Sequence, residues 1–93
     1  QRFLYVSTRF AEVITVFKID HGCLTQIQQT GCGGIHPRDM VLTPDGRYLL
    51  VANRTQGGLV SFQINQETGQ LMDICSRVPA PEAVSIVLSQ HTI

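Results

Sequence analysis

The chain has 93 residues, enough for one small domain with a modest core. Seven basic side chains balance seven acidic ones, so no net charge favours a nucleic acid or an anionic membrane as a partner. No apolar run approaches the roughly 18 residues of a membrane helix, and the N-terminus shows no signal-peptide pattern. We therefore expect a soluble chain with no nucleic-acid partner and no membrane partner.

Three cysteines, Cys23, Cys32 and Cys75, are spaced without any CxxC pair. Their odd number argues against a disulfide framework, and their spacing argues against a zinc site. Reduced cysteines are typical of cytosolic proteins, so we expect a cytoplasmic location. We also expect no metal and no cofactor.

Short runs rich in Val, Ile, Leu, Tyr and Phe alternate with the turn sequences DHG, TPDG, RTQGG and NQETG. In chain order these runs predict eight strands and no helix, at about 3–7, 13–19, 24–29, 38–43, 48–53, 59–64, 71–76 and 83–88. The runs MVL, YLLVA and VSIVL are apolar on both faces, which is typical of strands between two layers. The runs LTQIQQ and LMDICS alternate with polar residues and indicate strands near an edge.

Most of the chain is one unit used twice. RFLYVSTRFAEVITVFKI aligns without a gap to RYLLVANRTQGGLVSFQI, so that Arg2 matches Arg47 and Phe17 matches Phe62, 45 residues apart. After a slip of two residues Leu24 matches Leu71, and Pro37 meets Pro81 before another apolar run. Repeats of this length, built from four antiparallel strands, are typical of β-propeller blades. A β-sandwich also has short strands, but it does not predict a repeat of this length.

We therefore predict an all-β fold of antiparallel four-stranded propeller blades. Residues 1–30 would supply the last three strands of one blade, residues 37–77 a complete blade, and residues 82–89 a lone closing strand. The chain would begin in mid-fold and form the C-terminal part of a larger propeller. Fewer than two complete blades leave apolar faces open, so we expect it to associate with copies of itself or with the remainder of its parent propeller.

The strings LYVSTR and HPRDMVLTPDGRYLLVANRTQGGLVSFQINQETGQL, followed by a lone strand, resemble the lactonase family of seven-bladed β-propellers. This family includes propeller-type 6-phosphogluconolactonase and the carboxymuconate-cyclising enzymes. The resemblance spans nearly the whole chain but only about the last two blades of the family's fold. It implies a hydrolase acting on a small anionic lactone or sugar-acid substrate such as 6-phosphogluconolactone. The family's remaining site residues lie on other blades, so the fragment alone would be inactive.

In an antiparallel blade, the turn after the second strand lies at the same end of the sheet as the crossover that enters the next blade. The crossover before the complete blade and the two such turns of this chain are therefore predicted to lie together. Four side chains are thereby expected on one rim: Arg9, His36, Arg38 and Arg54. Arginine binds carboxylate or phosphate through a planar fork of donors, and histidine can exchange protons near neutral pH. His36 and Arg38 are the candidate catalytic residues, and Arg9 and Arg54 the candidate substrate-binding residues.

Each assignment has a structural alternative. Arg9 and Arg38 could instead pair with Glu12, Asp39 or crossover carbonyls, and His36 could merely precede a proline in an extended turn. Cys32 lies beside two glycines on the same rim, but no neighbouring base marks it as a nucleophile. The alternative function is a non-catalytic propeller that uses this rim to bind a ligand or a protein, because a fold does not fix a function.

Overall fold

The computed structural model describes residues 2–80, 85–87 and 89. Within these residues every regular element is a strand, no helix occurs, and therefore no helix could cross a membrane. The strands are β1 (Arg2–Thr8), β2 (Val13–Asp20), β3 (Cys23–Gly31), β4 (Ile35–Leu42), β5 (Tyr48–Gln56), β6 (Gly58–Ile64) and β7 (Leu71–Val78). The first seven predicted strands are confirmed, with ends that shift by at most three residues.

The eighth predicted strand, at 83–88, lies partly outside the described residues and stays a prediction. Residues 85–87 are described and do not form a strand, whereas residues 83, 84 and 88 lie outside the described residues. The backbone N–H of Ile86 donates to Asp39 Oδ2 at 2.8 Å rather than to the carbonyl of a neighbouring strand. In a sheet, this N–H group would instead pair with a neighbouring strand.

The seven strands form two antiparallel sheets. The first sheet has the order β1-β2-β3 and the second the order β4-β5-β6-β7. Tight turns connect successive strands of each sheet, as the sequence predicted. In the β4–β5 turn Thr43 Oγ1 donates to Asp45 Oδ1 at 2.7 Å, and Gly46 takes a φ of +71° that suits glycine.

The core lies between the two sheets, which pack face to face. Its buried side chains come from both sheets: Ile14, Val16, Cys32, Leu49, Val51, Val60, Phe62, Ile64 and Leu71. The Tyr5 hydroxyl donates across the interface to the Gly69 carbonyl at 2.6 Å, and burial raises the pKa of this tyrosine. Successive residues of a strand point to opposite faces of its sheet. Every second residue of β5 and β6 therefore faces the other sheet and belongs to this core.

A second polar contact joins the outer edges of the sheets. Gln28 on β3 donates through Nε2 to the Leu71 carbonyl at 2.8 Å, and its Oε1 accepts from the Leu71 N–H at 2.7 Å. The neighbouring Gln70 donates to the Ile27 carbonyl at 3.2 Å. The Gln28 side-chain amide thus makes the two hydrogen bonds to Leu71 that the backbone of a neighbouring strand would make. These bonds fix the distance between β3 and β7.

Candidate functional site

Both sheets direct equivalent strand ends to the same side of the molecule. We call this side the site end: β1, β3, β5 and β7 finish there, and β2, β4 and β6 begin there. Arg9 lies in the turn after β1, His36 and Arg38 lie near the start of β4, and Arg54 lies near the end of β5. The four residues selected from the sequence thus lie at one end of the sheets, as antiparallel topology predicts.

Charge is unevenly divided between the two ends. Of the described charged side chains, the site end carries four arginines and two carboxylates: Arg9, Arg38, Arg54, Arg77, Glu12 and Asp39. The opposite end carries three basic and four acidic side chains: Arg2, Lys18, Arg47, Asp20, Asp45, Glu67 and Asp73. A chain without net charge therefore has a positive site end, which favours the approach of anions.

Arg9 and His36 meet across the gap between the two sheets. Arg9 Nη1 lies 3.4 Å from His36 Nε2, although 27 positions separate the residues in sequence. Because a guanidinium has donors only, Arg9 is the donor of this contact and His36 Nε2 the acceptor. The Arg9 guanidinium also lies 5.4 Å from the ring centroid of Phe10, which is 89% exposed.

Glu12 holds the backbone on which this pair depends. Its carboxylate Oε2 accepts the backbone N–H of His36, and its carbonyl accepts the N–H of Cys32 at 3.0 Å. Its own N–H donates to the Thr8 carbonyl at 3.0 Å, which closes the turn that carries Arg9. One residue therefore ties the turn of the first sheet to the crossover that leads into the second.

Backbone conformation at this contact is unusual. Phe10, Glu12 and His36 have φ values of +71°, +58° and +64°, a left-handed backbone region that residues other than glycine seldom occupy. Such conformations persist where surrounding contacts hold them and are frequent at functional sites. The sequence did not predict that Glu12 would hold the backbone of the other site residues in place. Its only signal was its place three residues after Arg9 in the same turn.

Arg38 is exposed near the start of β4, the edge strand of the second sheet. Among the described residues no salt bridge joins Arg38 or Arg9 to Glu12 or Asp39. Glu12 binds the crossover backbone, and Asp39 accepts the N–H groups of Met40 and Ile86 instead. The structural alternative that paired these arginines with the two carboxylates is therefore not observed.

Arg54 lies on β5 between Asn53 and Gln56, the register partners of Pro37 and Ile35, so its backbone is close to that of His36. It lines a cavity of about 380 Å³ together with Arg77 and the β5–β6 turn. Beneath this turn the buried Asn53 donates to the Cys32 carbonyl at 3.3 Å, and its Oδ1 has no hydrogen-bond partner among the described residues. Arg77 donates to the Gly33 carbonyl. These contacts join the second sheet to the crossover around Cys32.

Cys32 itself is fully buried, and its thiol donates to the Gly34 carbonyl at 3.1 Å. Burial raises the pKa of this thiol, which keeps it protonated and weakly nucleophilic at neutral pH. No cluster of three metal-ligating side chains occurs in the part of the chain that the structure describes. The site end therefore offers exposed arginine side chains beside the imidazole of His36.

Comparison with known proteins identifies the fold. Residues 1–88 match the family described as lactonase, 7-bladed beta-propeller. The chain belongs to the lactonase family of seven-bladed β-propellers. The predicted propeller architecture is thereby confirmed, and the two sheets of this lactonase-family chain are propeller sheets.

Similar proteins carry related descriptions. The chain is 34% identical to the 6-phosphogluconolactonase of Bacillus subtilis over 87 residues, which is 91% of this chain and 25% of that protein. It superposes on a putative 6-phosphogluconolactonase of Bacteroides fragilis with a TM-score of 0.81 and 37% identity, covering 89% of this chain and 24% of that one. For the periplasmic gluconolactonase of Pseudomonas aeruginosa the TM-score is 0.84 and the identity 28%, with 89% and 24% covered.

The lactonase-family chain thus spans about a quarter of the length of these relatives. Seven blades surround the axis of a complete family member. The Arg9–His36 pair lies between two neighbouring sheets of such a ring.

Proposed function

We propose that this chain forms part of a lactone-hydrolysing propeller that acts on an anionic sugar-acid lactone such as 6-phosphogluconolactone. The observation that carries the proposal is the contact of Arg9 with His36 at the positive site end, in a chain of the lactonase family. The similarity to the Bacillus subtilis 6-phosphogluconolactonase supports this substrate class. Residues 1–30 would then form three strands of one blade, residues 37–77 the next blade, and residues 82–89 the closing strand of a third.

The anionic group of the substrate would be held by arginine. Arg38 is exposed and forms no ion pair with the described residues, so its five donors are available to a phosphate or carboxylate. Arg9 already has its guanidinium beside the imidazole. Arg54, in the neighbouring cavity wall, would extend the positive field toward the substrate. Blades outside this chain would complete the site.

His36 would transfer the proton. Its Nε2 carries the lone pair that Arg9 now occupies, and a bound anion that draws the guanidinium away would free this nitrogen. It could then take a proton from the water that attacks the lactone carbonyl carbon. When the tetrahedral intermediate collapses, the ring C–O bond breaks and the imidazolium returns the proton to the leaving oxygen. The product is the open-chain hydroxy acid.

The proposal can be tested in a chimera in which this chain replaces the matching quarter of the Bacillus subtilis relative. We expect the chimera to hydrolyse 6-phosphogluconolactone. Arg38→Ala should lower kcat/KM on the order of 10- to 100-fold, because a charge-assisted contact contributes about 1.5–3 kcal/mol. Arg47→Ala is the matched control, since Arg47 lies in an exposed turn at the opposite end.

The two arginine variants together decide the role of Arg38. Equal and small effects would remove Arg38 from the site. A folded chimera, verified by circular dichroism, that binds the lactone without hydrolysing it would favour the non-catalytic binding propeller. The chain alone should be inactive in the same assay.

The proposed location is the cytoplasm. The cysteines Cys23, Cys32 and Cys75 are free thiols, which suits a reducing compartment. One structural relative is a periplasmic protein, so detection of the protein in the periplasmic fraction would overturn this part of the proposal.

A further inference from the structure

The repeat makes the cavity beside Arg54 equivalent to the place where Arg9 meets His36. Arg54 matches Arg9, which lies 45 positions earlier. Ala80 stands directly before the proline of the second crossover as His36 stands directly before the proline of the first, so the alanine matches the histidine. Arg54 and Ala80 both line the cavity of about 380 Å³. A methyl group thus stands after the second sheet where an imidazole stands after the first.

A second side chain is missing from this cavity. Gly57 in the β5–β6 turn matches Glu12 in the β1–β2 turn, again 45 positions earlier. The Glu12 carboxylate accepts the His36 N–H and so occupies the space beside the first crossover, whereas Gly57 lines the cavity without a side chain. Both reductions in size belong to this chain's own residues. In a complete seven-bladed ring the following blade would add an outer wall to the cavity.

The same replacements change the charge. In the turn of the first sheet the charge of Arg9 is balanced by that of Glu12. In the cavity Arg54 is joined by Arg77, whose equivalent 47 positions earlier is the uncharged Thr30. None of the described lining residues is acidic. The cavity therefore favours an anion, which the equivalent place in the first sheet does not.

Arg77 has donors with which to hold that anion. Its Nη1 donates to the Gly33 carbonyl, and this contact fixes the side chain beside the cavity. A guanidinium carries five N–H groups, so others remain for a two-point contact with a carboxylate or a phosphate.

The lining also contains a buried acceptor. Asn53 is fully buried, and its Nδ2 donates to the Cys32 carbonyl at 3.3 Å. This contact fixes the orientation of the amide, because the reversed orientation would place its oxygen against that carbonyl. The Asn53 Oδ1 has no hydrogen-bond partner among the described residues, although Asn53 lines the cavity. A buried acceptor without a donor costs free energy, so this oxygen favours a bound molecule that carries a hydroxyl group.

We propose that this cavity binds a small hydroxy acid. Arg77 holds its carboxylate or phosphate in the positive field of Arg54, and one of its hydroxyl groups donates to Asn53 Oδ1. An anion without a hydroxyl group would leave the amide oxygen unpaired, and a neutral sugar would leave the arginines without an anion. The volume of about 380 Å³ lies within the range of small-ligand sites, about 300–1,000 Å³.

The cavity is distinct from the Arg9–His36 contact. Alternation along β5 places Arg54 on the face opposite to that of Val51, which is buried in the core between the two sheets. The Arg9–His36 contact bridges the gap on the side of that core. Binding in the cavity therefore requires no step of the proposed lactone hydrolysis.

Isothermal titration calorimetry of the chimera with the Bacillus subtilis relative tests the site. The chimera carries Arg38→Ala, which removes the proposed anion contact of the lactone site. We expect gluconate, an acid with several hydroxyl groups, to bind. Hexanoate keeps the carboxylate without hydroxyl groups, and glucose keeps the hydroxyl groups without the charge. Each should bind at least about 10-fold more weakly than gluconate.

Three variants locate the binding. Arg77→Gln removes the charge but keeps a donor for the Gly33 carbonyl, and it should weaken gluconate binding on the order of 10-fold. Ala80→His restores the imidazole of the first crossover and should block the cavity. Arg47→Gln is the matched control at the opposite end of the sheets, and it should leave the affinity unchanged. Circular dichroism verifies that each variant is folded.

Four results decide the inference. Equal affinities for gluconate and hexanoate would overturn the role of the Asn53 oxygen and with it the hydroxy-acid assignment. An unchanged affinity in Arg77→Gln and Ala80→His would place the binding elsewhere. A chimera without Arg38→Ala that hydrolyses the lactone, paired with a folded Arg38→Ala chimera that does not bind gluconate, would overturn the cavity site and keep the proposed function. Gluconate binding that depends on Arg77, in a chimera without hydrolysis, would support the site and overturn the proposed function.

Discussion

Glu12 shows how much of the candidate site depends on one side chain in a turn. Its carboxylate and its carbonyl accept N–H groups of His36 and Cys32, and these contacts hold the crossover against the turn that bears Arg9. Glu12 is a positioning residue, because it contacts the backbone of the pair and not their side chains. Without it, the left-handed conformation of His36 would lose the acceptor that satisfies its N–H.

Cys32 should be the least reactive of the three thiols. Cys23 and Cys75 are exposed, whereas Cys32 is buried and burial raises the pKa of its thiol. Because the thiolate is the nucleophile, iodoacetamide at neutral pH should alkylate the two exposed cysteines well before Cys32. Mass spectrometry of the peptides over time measures the three rates. Equal rates at all three positions would contradict the buried placement of Cys32.

The same thiol predicts a pH dependence of stability. The folded chain holds the Cys32 proton to higher pH than the unfolded chain, in which the thiol has its ordinary pKa of 9.0. The unfolded state therefore binds fewer protons above that pH, and the free energy of unfolding falls as the pH rises. Urea unfolding at several alkaline pH values measures this fall, and Cys32→Ala should reduce it. A stability that rises over this range would contradict the prediction.

The common end of Arg9 and His36 could be predicted from strand order, because antiparallel topology places the turn after β1 and the crossover before β4 at one end, but their direct contact could not. The function of Glu12 could not be predicted. It depends on the positive φ value of Glu12, and sequence patterns assign such conformations chiefly to Gly, Asn, Asp or His.

At the scale of elements, the crossover before β4 packs closely on the β5–β6 turn. A Cβ atom on Gly34 would overlap the carbonyl oxygen of Gln56 and the Cα atom of Gly57. Both obstructing groups are backbone, so neither can move by a change of rotamer. The two segments approach closely because both carry glycine at the crossing.

Gly34→Ala should therefore destabilise the chain strongly, by about 1–3 kcal/mol or more, because the added methyl forces backbone shifts. Gly31→Ala is the matched control: an added Cβ there meets nothing within 4 Å, and the change should be within about 0.5 kcal/mol. Urea unfolding followed by circular dichroism measures both. Equal effects would show that the crossover and the turn do not pack as described.

The β4 strand shows where sequence-based boundaries fail. It begins at Ile35, three residues before the predicted start at 38. Proline cannot donate to a ladder, so the predicted strand began after Pro37. In the structure Pro37 lies opposite Asn53, and the pairing shifts register on both sides of it. An edge strand tolerates this because one of its sides needs no ladder hydrogen bonds.

At the scale of the whole molecule, the repeat predicted the two sheets, their order and open apolar faces, but not which side chains would be exposed on those faces. Leu24 on β3 is 55% exposed, whereas its equivalent Leu71 on β7 is 6% exposed. The two positions have the same residue and the same place in the repeat. What differs is the side on which each sheet has a neighbour, and this is a property of the assembled stack and not of the local sequence.

The paired hydrogen bonds of Gln28 with Leu71 have a geometric consequence. They join β3 to β7 at the outer edges of the sheets, where two sheets that diverge from a common axis are farthest apart. The length of the Gln28 side chain therefore limits the angle at which the two sheets diverge, the wedge angle. An asparagine at this position that kept both bonds would draw the outer edges together and narrow the wedge. Narrower wedges fit more sheets into a full turn, so the length of this side chain is one of the contacts that bear on how many blades fit around the axis.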